Sequence, residues 1–543
     1  MNGGSRTART CLIAALTIGV PVAAQQPSAV PHIETRDGRH ALIVDGAPYL
    51  MLGAQVNNSS AWPAMMPKVW PVMEALHVNT VEVPIAWEQI EPQEGRFDFA
   101  YLDLLLAQAR ARKVHLVLLW FATWKNTNPQ YAPRWVKLDN RRFPRMVKPD
   151  GTLHYALSPL ARTTLDADTR AFVALITYLK QADPQNTVLM VQVENESGSY
   201  GLARDHSAEA NRLFADAVPA ALLRRTGKKA GNWTQVFGRD AELSFHAWHV
   251  ARYIDHVAAA GKAVKPVPMY ANAALTSDPL VYQDPKTYAS GGPAQTVIDV
   301  WKAAAPHLDA LAPDIYNPDH KAHLGFLDAY NRPDNPLLIV ETGRTRDYPR
   351  YFFEAMGRGA IGWAPFGLDQ TRYRQTLPVT LTMDADAIAP FAANFALFRP
   401  IERLWAKLAF AGKTWGCAEP NDPATSHTQV MKLGRYVATA SFGRSDFGDA
   451  PPTGNEFPSG GVAIAELAPD EYLVTGFHAR VEFALADAKA GNLIVDRIEE
   501  GYYDVDGKWQ FQRVLNGDQV DWGLNFSAAP QMLRIRLASY PKR

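Results

Sequence analysis

The stretch VLMVQVENESGSYG, Val188 to Gly201, carries an apolar run straight into Glu194-Asn195-Glu196. A second apolar run, PLLIV, ends in the same way at Glu341. Carboxylates are rarely buried without a partner or a task. Two carboxyl groups facing each other across a cleft can cleave a sugar acetal. One stays protonated and donates to the leaving oxygen, while the other is ionised and attacks the anomeric carbon. A separation of about 5 Å between them implies retention of configuration. Asn195 is placed to bind a sugar hydroxyl beside the scissile bond. A strand-end ion pair with Arg344 would explain Glu341 alone, but it leaves the second strand end unexplained.

Other chemistries find little support. No His/Cys/Asp set has metal-ligand spacing, and His246 and His249, one helical turn apart, read as packing or surface residues. No Gly-x-Ser-x-Gly elbow and no glycine-rich phosphate loop is present. Neither a metal nor an organic cofactor is expected. Lys plus Arg and Asp plus Glu both number 55, so there is no basic excess to neutralise phosphates, and no nucleic-acid partner is expected.

The carboxylates need a frame. Strand-like segments are expected at 49–55, 78–84, 114–120, 188–194, 267–271, 310–316, 337–341 and 360–366. Helical periodicity falls between them, at 65–76, 101–113, 164–182, 208–225, 243–260, 294–304, 322–331 and 350–357. Strand–helix alternation argues a parallel sheet with helices outside, and eight such units fit a TIM (β/α)8 barrel. Its active site lies at the C-terminal strand ends. Those ends carry Gln55, Asn57 and Asn58, then Trp87-Glu88, then Trp124, Lys125 and Asn126. Glu194 to Glu196, Tyr270 and Asn272, Tyr316-Asn317, Glu341 and Trp363 complete the ring. Asn57, Trp87, Trp124, Tyr270 and Trp363 are expected as walls of the sugar subsites. Glu194, which alternation points away from Asn195, is expected to be buried and structural.

Two Asp-Gly turns, at 37–38 and 45–46, predict a small hairpin before the first strand. A helical stretch at 387–410 closes the barrel, and short alternating segments from Lys413 onward predict an all-β sandwich. The N-terminus combines Arg6 and Arg9, an apolar Cys11–Val20 and a small-x-small site at 22–24. This reads as a signal peptide over residues 1–24, with export to the periplasm or beyond, and no membrane association after cleavage. The expected domains are therefore 25–410, the barrel with its hairpin, and 411–543, the sandwich. After cleavage only Cys417 remains, so stability rests on the core. A homodimer is compatible with the sequence, which does not specify an oligomeric state.

The motifs carry a resemblance. VQVENESGSYG resembles the acid/base segment of the family 35 β-galactosidases, and VPIAWEQIEPQEGRFDF is similar to their second-strand segment. The resemblance covers roughly residues 35 to 400. It implies that Asn195-Glu196 is the family's Asn-Glu pair, with Glu196 as acid/base, and that Glu341 in LLIVETG is the nucleophile. It implies that Tyr316 orients that nucleophile. Thr123, in FATWKN, stands where the family carries a glutamate that binds galactose hydroxyls. The implied activity is a retaining exo-β-galactosidase that releases terminal β-galactose from oligo- or polysaccharides, including plant cell-wall glycans. An endo-β-glycanase and a non-catalytic carbohydrate-binding protein are the alternatives. The long loops after strands three and four favour a pocket and exo action.

Overall fold

The structure, a computed structural model, describes residue 1 and residues 29–370, 385–422, 424–444 and 451–542. Residues 2–28, and with them the expected leader and its cleavage site, lie outside the described residues.

Strand one is Met51–Gln55, strand two Thr80–Ala86, strand three His115–Lys125 and strand four Val188–Asn195. Strand five is Met269–Ala274 and strand six Ala310–Ile315. Strand seven comes in two pieces, Leu338–Ile339 and Glu341–Thr342, and strand eight is Gly362–Trp363. All pairings are parallel. The first piece of strand seven pairs with strand eight, the second with strand six, and strand eight pairs with strand one. The sheet therefore closes into an eight-position (β/α)8 barrel.

Side-chain alternation explains the two layers of core. Leu116, Leu118 and Trp120 of strand three pack outward against the helices. Val117, Leu119 and Phe121 point inward and join Met51, Ala310, Ala312, Leu338 and Val340 along the axis. Both Asp-Gly turns form, with positive φ at Asp37, Gly38, Asp45 and Gly46, as a two-residue hairpin turn requires. They join His32–Arg36, Arg39–Val44 and Ala47–Tyr49 into an antiparallel sheet. Leu42, Val44 and Tyr49 of this sheet pack into the inner cluster and plug the N-terminal end of the barrel. The expected helix at 208–225 is two helices, Ala208–Ala215 and Ala220–Thr226. Pro219 between them lacks the N–H that a continuous helix needs.

Helices Ala385–Phe398 and Glu402–Phe410 lead to two antiparallel sheets, of six and four strands. Leu433, Tyr436, Val462, Ile464, Val481 and Leu533 from both sheets share one buried cluster, so the two form a sandwich. Cys417 is buried in that cluster. The sandwich is seated on helix Tyr351–Gly357, which follows strand seven. A side chain at Gly357 would lie 2.0 Å from the backbone of Gly416, so the bare glycine lets helix and strand touch. Buried Arg350 spans the contact, donating to the carbonyls of Glu419 (3.0 Å) and Pro458 (3.1 Å) in the sandwich and Pro318 (3.2 Å) in the barrel. The sandwich thus braces the segment that carries Glu341.

Candidate active site

A cavity of about 490 Å³ opens at the C-terminal mouth, and Lys125, Glu196, Tyr200, Asp314, Tyr316 and Glu341 are among its walls. One carboxylate oxygen each from Glu196, Asp314 and Glu341 falls within 4.8 Å of the other two. The sequence reading brought two of these three together and missed Asp314. The signal for it was present. Ala310, Ala312, Asp314 and Tyr316 alternate along strand six, and the two alanines face the barrel axis.

Glu341 is held by neutral donors. Its Oε1 accepts from Gln55 Nε2 at 2.9 Å and from Asn195 Nδ2 at 3.4 Å, and its Oε2 accepts from the Tyr316 hydroxyl at 2.7 Å. Burial, reinforced by the charge of Glu341, pushes the Tyr316 hydroxyl well above its usual range, so it stays a donor. Donors of this kind orient a carboxylate without protonating it. Alternation would turn Glu341 outward, because Val340 already faces the axis. The break between the two pieces of strand seven lets consecutive residues both reach the interior. Replacing Tyr316 with Phe should lower kcat about tenfold or more, since a hydrogen bond to a charged group contributes about 1.5–3 kcal/mol. Steady-state kinetics on an aryl glycoside would measure this, and an unchanged kcat would refute the orienting role.

Glu196 sits in a left-handed turn, with φ +43°. Such backbone costs roughly 1–2 kcal/mol in an L-residue and needs outside support. Its N–H donates to Asn272 Oδ1 at 3.0 Å and its carbonyl accepts from Thr127 N at 3.0 Å. Gly198 follows with φ +115°, where an added Cβ would meet the Ser290 carbonyl at 2.1 Å. Burial lifts the Glu196 carboxyl to about 7, with Lys125 and a hydrogen bond with Asp314 opposing the rise and Glu341 adding to it. At neutral pH the site therefore holds one carboxyl poised to give up a proton opposite one oriented as a base or nucleophile. Lys125, also buried, supplies positive charge beside Glu196 and Asp314 and donates to Asn126 Oδ1. The three carboxylate oxygens are the one grouping among the described residues that a cation would fit, and this ammonium lies beside them.

Glu194 is buried, as expected, and accepts from the backbone N–H groups of Thr123 (3.2 Å) and Trp124 (2.7 Å), tying strand four to strand three. The expected subsite walls do not line the cavity. Trp87 is fully buried and donates to Glu91 at 2.8 Å. Trp124 packs edge-on against Tyr253, and Trp363 packs against Phe352, Phe391 and Phe395. These three indoles belong to the packed core shared with the helices. Tyr270 faces inward but sits in the core layer of Ala310 and Leu338, beneath the mouth. Asn57 bonds Asp369 through both its backbone and its side chain, at 2.8 Å each, and joins strand one to the loop after strand eight. Thr123 also faces away from the mouth, bonding Asp168 at 2.7 Å and Tyr253 at 2.8 Å, and it does not line the cavity. Lys125 and Asn126 stand at the mouth instead. The aromatic residues that do line the cavity are Tyr200, Tyr316, Phe326 and Phe366. His246 is buried beside Ser199, a packing role.

Residues 58–254 match the glycoside hydrolase family 42 model, described as beta-galactosidase, and residues 391–527 match a domain of unknown function. A beta-galactosidase of Xanthomonas manihotis is 28% identical over 224 residues, which are 39% of this chain and 34% of that protein. The chain thus aligns with about a third of that relative's length. Among solved structures, the beta-galactosidase of the psychrophilic Marinomonas ef1 superposes with a TM-score of 0.48 at 12% identity, over 66% of this chain and 61% of that one. An endo-glycoceramidase II from Rhodococcus sp. superposes with a TM-score of 0.41 at 15% identity, over 94% and 100%. The motif resemblance pointed to family 35, whereas the matching model is that of family 42. The two agree on a β-galactosidase-like glycoside hydrolase and differ on the family.

Proposed function

We propose that this protein is an exported, retaining exo-β-galactosidase. The observation that carries the reading is the pairing of Glu196 with Glu341. Their carboxylate oxygens approach within 4.8 Å, near the roughly 5–5.5 Å typical of double displacement and short of the wider gap that inversion needs. Their surroundings also divide the roles. Glu341, held by Gln55, Asn195 and Tyr316, attacks the anomeric carbon as the protonated Glu196 gives its proton to the leaving oxygen. Glu196 then takes a proton from water, whose oxygen releases the sugar from Glu341. The β-galactosidase match over residues 58–254 supports galactose as the sugar.

The test is a panel of chromogenic β-glycosides (galactoside, glucoside, mannoside, xyloside and fucoside), with the anomer of the first product followed by NMR. Preferred release from the galactoside with β-galactose formed first supports the reading. An α-product first would refute retention, and preference for another sugar would move the specificity.

A glycan longer than a disaccharide fits the mouth. A second cavity of about 210 Å³ adjoins the first, with Asn58 lining both, and Trp62, Gln89, Gln130 and Tyr131 among its other walls. Trp62 is 51% exposed, and Tyr155 and Tyr200 also expose their rings near the mouth. Flat rings beside amide groups suit sugar faces and hydroxyls. Trp62→Ala should lower kcat/KM for a β-galactosyl-terminated tetrasaccharide about tenfold more than for an aryl β-galactoside. Equal losses on the two substrates would argue against this second cavity as a sugar subsite.

A further inference from the structure

We infer that Asp314 and Glu196 act as a pair that holds one proton between them, so that Asp314 is the reservoir for the acid step. The inference rests on the double-displacement reading above. Three observations carry it. The two carboxyl groups lie within the 4.8 Å cluster. Asp314 is 2% exposed and is among the residues that line the cavity. Its Oδ1 is buried and accepts from no N–H or hydroxyl group, its Oδ2 accepts from Asn272 Nδ2 at 2.7 Å, and the Glu196 carboxyl lies within hydrogen-bonding reach of Asp314. The same Asn272 accepts the Glu196 N–H through its Oδ1 at 3.0 Å, so one amide fixes both carboxyl-bearing residues. A buried carboxylate oxygen beside two other carboxyl groups is costly unless a proton is shared.

The surroundings set how many protons the cluster keeps. Glu82 of strand two, Lys125 of strand three, Tyr200 beyond strand four, Tyr270 of strand five, Tyr316 just beyond strand six, Tyr330 of the helix that follows and Glu341 of strand seven face the pair. Burial pushes the Glu82 carboxyl and the hydroxyls of Tyr270 and Tyr316 well above their ordinary ranges. Lys125 then stands against three carboxyl groups. The nucleophile reading requires an ionised Glu341, and with one proton on the pair the resting site then holds two negative charges. When the glycosidic bond breaks, the pair's proton leaves on the aglycone oxygen and Glu341 becomes a neutral ester. The pair is then doubly charged, and the total is unchanged. Water restores it: its proton returns to the pair, its hydroxyl goes to the sugar, and Glu341 regains its charge. The charge balance comes from the esterification of Glu341; what Asp314 adds is a second carboxylate whose like charge holds the shared proton until the leaving oxygen takes it.

Asp314→Asn keeps an acceptor for Asn272 and removes the proton site, whereas Asp314→Ala removes both. The last proton of a carboxyl pair is held more tightly than that of a lone acid. The basic limb of the kcat/KM profile is therefore expected to move about one pH unit toward acid in both variants. The loss should be larger for an alkyl β-galactoside than for one with an acidic phenol. An unmoved limb with equal losses on both substrates would overturn the inference, as would an effect confined to Asp314→Ala, which would reduce Asp314 to a support for Asn272. Infrared difference spectra across pH 5–9 give a readout independent of turnover. The carboxylic C=O band that titrates in the wild type should be altered by Asp314→Asn and by Glu196→Gln. A band that ignores Asp314→Asn would refute the pair even if no galactoside is cleaved, an outcome that would separately refute the functional reading.

Discussion

Glu341→Gln is expected to lower kcat on aryl β-galactosides about 10⁴-fold or more, the scale on which loss of a nucleophile acts. The substitution is nearly isosteric, so the strand-seven backbone and the cavity should persist. The amide cannot attack the anomeric carbon. It also turns an N–H toward one of the donors that now converge on Glu341, Gln55 and Asn195 on one oxygen and Tyr316 on the other. Sugar binding, made by the rest of the mouth, should survive. Titration calorimetry of the variant with lactose, beside single-turnover assays, would separate the two effects. Retained turnover would remove Glu341 from the nucleophile role, and a carbohydrate-binding protein without catalysis would show lactose binding in the wild type but no turnover to lose.

Glu196→Gln is the second large effect, and its size should depend on the leaving group. Alkyl and sugar aglycones leave as poor anions and need the proton, so their hydrolysis should slow by roughly 10²–10⁴, the range of general acid catalysis. A dinitrophenyl aglycone needs little help, and formation of its glycosyl-enzyme should be much less impaired. The pH profile provides a second check. Burial raises the Glu196 carboxyl to about 7, and the acid form is the one that donates. Wild-type kcat/KM should be present below that pH and fall as pH rises through it, and the variant should lack this limb. If the variant retains a limb near 7, the acid lies elsewhere.

Much of the frame was legible because it follows from short-range rules. Apolar strands alternating with 3.6-period helices locate all eight barrel positions, with ends displaced by a few residues. The Asp-Gly pairs specify their turns through φ. The split of 208–225 at Pro219 was legible in principle, since proline removes a helix donor. The aromatic walls show where such reasoning stops. Trp87, Trp124 and Trp363 sit at or near strand ends, yet their side chains turn to the helix side, and position along a strand does not reveal facing once the strand bends.

By itself the sequence determined the barrel, the sandwich, and the placing of Glu196 and Glu341 at strand ends, because periodicity and apolar runs are local properties of the chain. Only the tertiary structure decided which side chains share the cavity. The break in strand seven turns Glu341 inward after Val340, and a left-handed turn held by Asn272 and Thr127 aims Glu196. Closure of the barrel brings Asp314 and Lys125 beside them from strands distant in sequence. The physical reason is that the charge state of a carboxyl depends on what surrounds it through space, and that is fixed only when the ring of strands closes.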